Sequence, residues 1–184
     1  TLPAISSVST AADNGSISVT FSEAVFNTNS GSGTLDSADF VLSITGGAAT
    51  LADTIPTSIS VSGNTYTLGL SLSGTPDGSE VLTVVPAENA IYDAAGNAAS
   101  TTQSNKTTSL FDQTAPNITS VSLAYDNGTV AVTFSVSVYN TASGDGVLDP
   151  ADLVFALSGG RATLISTTPT TIPAHATTHP LGTR

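Results

Sequence analysis

The sequence predicts an all-β fold built as a tandem array. Its first unit reads as a β-sandwich of seven short strands, and its second as an incomplete copy of the first. Three observations lead there. Apolar residues alternate with a period of two, turn residues punctuate the chain about every ten residues, and helical periodicity is nearly absent. The chain also repeats itself: residues 3–59 align without a gap onto residues 116–172, with 33 of 57 pairs identical at an offset of 113. Chance does not produce such a match, and a period of this length is the mark of repeated domains.

Ile5 and Val8 lie on the first strand. Ile17, Val19 and Phe21 alternate with Ser16, Ser18, Thr20 and Ser22 on the second, a half-buried pattern. Asp13-Asn14-Gly15 joins them, and Asn-Gly is a strong hairpin signal. Further strands are expected at 40–45, 57–61, 65–71, 80–86 and 107–111. Turns fall at Gly46-Gly47, Ser62-Gly63-Asn64 and Thr75-Pro76-Asp77-Gly78. Short helical turns are expected near 37–39 and 87–92. The expected core is Ile17, Val19, Phe21, Val41, Tyr66, Leu68, Leu82, Val84 and Leu110. The linker Asp112-Gln113-Thr114-Ala115-Pro116 separates a complete unit over 1–113 from a partial one over 114–184, whose tail 173–184 diverges.

Composition narrows function. The 184 residues carry a net charge of −11, from 14 acids against 3 bases. A phosphate backbone needs clustered Lys and Arg, so nucleic acid is excluded as a partner. Cys is absent, which removes disulfides and thiolate chemistry. No stretch approaches the roughly 20 apolar residues of a membrane span. Thr1-Leu2-Pro3 aligns with Thr114-Ala115-Pro116, so the chain is expected to be a piece of a longer protein.

Three segments carry a resemblance: Thr20-Phe21-Ser22-Glu23-Ala24-Val25, Asp93-Ala94-Ala95-Gly96-Asn97 and Asp112-Gln113-Thr114-Ala115-Pro116. In this order they resemble the bacterial immunoglobulin-like (Ig-like) repeats of giant surface adhesins and surface-layer proteins. The resemblance covers 1–115 and the first half of the second unit. It implies an Ig-like sandwich, an extracellular or cell-surface location, and a structural or adhesive role, often with calcium at the junctions. The second copy departs from the pattern, with Val136 and Ser137 where the first has Glu23 and Ala24.

The acids are the only candidates for chemistry. Strand polarity places Asp36, Asp39, Glu88, Asp93 and Asn97 at one pole. Asp13, Asp77 and Asp112 fall at the other, which is expected to meet Asp145, Asp149 and Asp152 of the next repeat. Calcium takes six to eight hard oxygens, and crowded carboxylates suit it. The candidate calcium ligands are therefore Asp112, Asp77, Asp145, Asp149, Asp152, Asp36, Asp39 and Asp93. The competing reading makes these acids turn caps on a soluble surface. Asp36-Ser37-Ala38-Asp39 reads first as an N-cap opening one helical turn.

Other constellations fail. His175 and His179 stand i, i+4, but Pro173 and Pro180 flank them and no third ligand completes a zinc site. No Gly-x-Ser-x-Gly elbow occurs, and aromatic residues make up only 5% of the chain, too few for a sugar platform beside paired carboxylates. No enzyme is expected. Asn14, Asn105, Asn117 and Asn127 begin Asn-x-Ser/Thr triplets, a glycosylation signal only in a competent host.

The expected function is mechanical: a spacer, stalk or self-assembling filament subunit. The alternative is a calcium-dependent module that binds a surface glycan or other ligand. Exposed aromatics on the polar loops would favour that alternative, and Phe26 and Tyr92 are the nearest candidates. For the half-repeat two explanations stand. Either the chain is truncated or frame-shifted there, or a neighbouring subunit completes it by strand addition, covering Val121, Val130, Val132, Phe134 and Val154.

Overall fold

The structure is a computed structural model. It describes residues 1–142, 144–172 and, as backbone, 178–182. The chain is all-β, apart from two 3-10 turns among the described residues, and divides into two compact units, Thr1–Thr114 and Ala115–Arg184. In the first unit the strands are β1 (Ile5–Thr10), β2 (Ser16–Phe21), β3 (Phe40–Thr45), β4 (Thr50–Leu51), β5 (Ile59–Ser62), β6 (Thr65–Gly69), β7 (Leu72–Ser73), β8 (Val81–Pro86) and β9 (Thr107–Ser109). In the second they are β10 (Ile118–Leu123), β11 (Thr129–Phe134) and β12 (Thr178–Gly182).

Two antiparallel sheets build the first unit, in the orders β1-β2-β6-β5 and β3-β8-β9, with a small β4-β7 ladder beside them. The alternation on β2 has the expected effect: Ile17, Val19 and Phe21 are buried while the residues between them are half-buried. Ile5 and Val8 are an odd number of residues apart, yet both pack on the core. A bulge reconciles this, since pairing slips between Ile5, opposite Phe21, and Ser7, opposite Thr20. Phe40, Leu42, Leu82 and Val84 from the other sheet close the core. Phe21, Phe40 and Tyr66 form its aromatic centre, with Phe21 and Tyr66 edge to face at 5.8 Å.

Two expectations are corrected here. Val41 is not core. It is 41% exposed, whereas Phe40 and Leu42 on either side are 0% and 1% exposed. The 3-10 turn Ser37–Asp39 ends directly at Phe40, which is already extended, and so fixes the phase of β3. Residues 87–92 form no helix. Ala90 N–H bonds Ala87 O, Asn89 takes φ 54°, and Tyr92 then bridges Phe26 in extended backbone.

In the second unit, β10 pairs β11 with the register of β1 on β2 shifted by 113, bulge included: Ile118 opposite Phe134, then Ser120 opposite Thr133. The 3-10 turn Pro150–Asp152 follows, and Phe155 N–H bonds Thr167 O where Leu42 N–H bonds Thr54 O in the first unit. Residues 153–158, the counterparts of β3, form no strand. Val154 is 75% exposed and corresponds to outward-facing Val41, so it is not an inward position either.

The tail corrects a further expectation. β12 pairs β11 as β6 pairs β2: Leu181 faces Val130 and Gly182 faces Thr129, where Leu68 faces Ile17 and Gly69 faces Ser16. Thr178, Leu181 and Gly182 are identical to Thr65, Leu68 and Gly69 at the same offset of 113. The edge of β11 is thus paired within the chain. Pro180 is tolerated because β12 is an edge strand.

Candidate functional site

The hairpin tip, the turn at 75–79 and the linker converge at one pole of the first unit. Asn14 sits at φ 56°, which Asn tolerates better than most residues, and is 3% exposed. Its Nδ2 donates to Phe111 O at 2.8 Å and its Oδ1 accepts from Phe111 N–H at 2.9 Å. Gln113 adds a backbone bond to Pro76 O at 2.8 Å and a side-chain bond to Ala12 O at 3.1 Å. A glycan on Asn14 is excluded by these contacts. The Asn-Gly signal announced the hairpin, but the clamp onto Phe111 lies 97 residues away and leaves no local trace.

Glu80 is the residue that sequence reasoning missed. It is 0% exposed. Its Oε1 accepts from Ala48 N–H and Ala49 N–H, both at 2.9 Å, and its Oε2 from Gly78 N–H at 3.0 Å. Asp77 N–H reaches both oxygens, at 3.2 and 3.1 Å. Gly46 and Gly47 at φ 78° and 63° wrap this carboxylate, and a Cβ on Gly47 would collide with it. Burial pushes the carboxyl up, but the amides of Ala49, Asp77 and the turn more than offset it, so Glu80 titrates below its usual 4.5.

The expected calcium ligands take local partners. Asp36 accepts from Ala38 N–H at 2.7 Å, and Asp39 accepts from Asp36 N–H at 2.8 Å, a reciprocal capping box. Asp149 and Asp152 repeat it at 2.8 Å each. Asp145 accepts from Thr141 Oγ1 at 2.8 Å. Asp93 is 3% exposed and accepts from Ala95 N–H, Asn97 N–H and Asn97 Nδ2 at 2.7–2.9 Å. Asp77 binds Ser79 and Asp112 binds Thr114, through N–H and hydroxyl in both cases. Hydrogen bonds from Thr114 hold Asp112 below its usual range, and the nearby Asp77 charge opposes this only weakly. Among the described residues, no group of three or more His, Cys, Asp or Glu could hold a metal ion. His175, half of the rejected zinc pair, lies outside the described residues.

Phe26 and Tyr92 do not form an exposed aromatic patch. They bridge one another, both are half-buried, and Tyr92 OH donates to Asn89 O at 2.7 Å. A groove of about 320 Å³ runs beside the β5 edge, lined by Val25, Leu35, Ile59, Val61 and Tyr66 among others. No carboxylate, histidine or lysine lines it.

The acids set an acid-stability limit. Asp77, Asp93 and Asp112 are held below their usual 3.8, chiefly by side-chain hydrogen bonds from Ser79, Asn97 and Thr114. With Glu80 also lowered, each contributes stability above its unfolded pKa and loses it as pH falls through the folded value. Asp39, raised mainly by burial, acts in the opposite direction. The melting temperature is expected to be nearly flat from about pH 7 to 5 and to drop below about pH 4. A melting series across that range checks it.

Compared with family models, curated proteins and solved structures, the chain matches none.

Proposed function

We propose that the chain is a mechanical module, an Ig-like sandwich repeat that serves as spacer, stalk or filament subunit of an extracellular cell-surface protein. One observation supports this reading above the others: β1 and β9 lie side by side and run the same way. Ile5 N–H bonds Gln103 Oε1 at 2.9 Å near the start of both strands. Thr10 Oγ1 bonds Ser109 O at 3.1 Å, and Asn14 clasps Phe111 beyond their ends. Tension applied at Thr1 and Thr114 therefore pulls the two strands in opposite directions along their length. These contacts are loaded together rather than unzipped one by one. Load-resisting spacers need such a geometry, and catalysts or receptors do not.

Pulled from those ends, the first unit is expected to rupture in one cooperative event. Asn14→Gly keeps the left-handed backbone and removes both clamp bonds, at about 1 kcal/mol each, so it lowers the rupture force. Single-molecule pulling is the test. Gradual extension of the parent at low force would remove the mechanical reading. The calcium-dependent binding module has only the Asp77–Asp112 proximity behind it, and that pair is two carboxylates already engaged by their own loops.

A further inference from the structure

Asn-Gly is the dipeptide most prone to deamidation, because glycine has no side chain to hinder attack of its backbone nitrogen on the asparagine amide. At Asn14-Gly15 the fold holds every group that this reaction needs. Both polar atoms of Asn14 are engaged by the Phe111 backbone, Nδ2 at 2.8 Å and Oδ1 at 2.9 Å. The attacking group is engaged as well: Gly15 N–H donates to Asp13 Oδ1 at 2.9 Å. Asn14 N–H bonds Ala11 O at 2.8 Å, and Ala11 N–H bonds Ser16 O at 2.9 Å, so the backbone of the hairpin tip is closed around the pair. At 3% exposure, Asn14 is also shielded from the water that completes the reaction.

We propose that Asn14 is a modification site gated by the fold: it deamidates when the clamp on Phe111 opens, and the product cannot remake both clamp bonds. The Gly15 nitrogen attacks Asn14 Cγ, the Cγ–Nδ2 bond breaks, and ammonia leaves with the Gly15 amide proton. Water then opens the cyclic imide at either carbonyl. One route leaves aspartate at position 14. The other leaves isoaspartate, whose backbone runs through Cβ and Cγ. In aspartate an oxygen replaces the donor Nδ2, so the carboxylate and Phe111 O meet as two acceptors where water is nearly excluded. In isoaspartate the longer backbone does not fit the closure between Ala11 and Ser16. Either product weakens the tie between the hairpin and the end of the first unit, so an opening is recorded permanently. The inference stands on the geometry of the clamp and is independent of the mechanical role.

The test incubates the full chain in mildly alkaline buffer, folded and in denaturant, and follows deamidation by peptide mapping with mass spectrometry. Asp126-Asn127-Gly128-Thr129 repeats Asp13-Asn14-Gly15-Ser16 with one conservative change, so in denaturant the two asparagines should react at similar rates, an internal clock. In the folded protein Asn14 should react at least about thirtyfold more slowly than in denaturant, since two hydrogen bonds must break before it can react. Asn14→Asp carries the product from the start and should unfold at a lower denaturant concentration than the parent. The isoaspartyl form, separated from the denatured incubation and refolded, should do the same. Equal rates at Asn14 in folded and denatured protein overturn the gate. Midpoints equal to the parent's for both product forms overturn the permanent record.

Discussion

Val19→Asp is expected to bring the first unit to the edge of unfolding. Val19 is 0% exposed at the middle of β2, opposite Val8 on one side and Tyr66 on the other. A carboxylate there has no cation within the core cluster, whose members are all apolar or aromatic. The cost is several kcal/mol, against a total stability of about 5–15 kcal/mol for a domain of this kind. Val19→Ala removes two methyl groups without burying charge and should cost less, about 2 kcal/mol. Burial raises the pKa of the new acid, so the deficit of Val19→Asp should shrink as pH falls toward 4. Denaturant titration of the three proteins reads all of this. A midpoint for Val19→Asp equal to the parent's would mean that Val19 does not face the core.

The strand β2 was legible because serine and threonine alternate with its apolar residues, and a period of two leaves one choice of face. β3 was not. Phe40-Val41-Leu42 is a continuous apolar run, and such a run carries no phase of its own. The phase comes from the 3-10 turn that precedes it and from pairing with β8, in which Val41 lies opposite Val85 on the outer side. The N-cap at Asp36 was legible because Asp36 and the turn it opens lie within four residues; the return bond from Asp39 that completes a capping box was not read. The tail was harder. Histidine and proline interrupt Thr178–Gly182, and three identities in five residues stand out only once the ladder to β11 fixes the register. Contacts that close over long separations, such as Gln103 onto Ile5 and Asn14 onto Phe111, have no periodic signature at all.

Glu80 belongs to that last group, and its removal is the second large effect expected. Glu80→Ala should destabilise the first unit by about 3 kcal/mol. Hydrogen bonds to a charged acceptor contribute about 1.5–3 kcal/mol each, and water can replace part of the loss where the donors are exposed. Ala48, Asp77 and Gly78 are exposed, whereas Ala49 is buried, so only the Ala49 amide is stranded outright. Glu80→Gln separates charge from shape. The amide fills the same space, but its NH2 end must face donors, since Asp77 N–H and Gly78 N–H both reach Oε2. It should recover less than half of the deficit of Glu80→Ala. Glu80→Asp is one methylene short of the turn at Gly46-Gly47 and should fare no better. Unfolding midpoints at pH 7, with unchanged denaturant slopes, check the series. If Glu80→Gln were as stable as the parent, the four backbone amides would be holding a shape and not a charge.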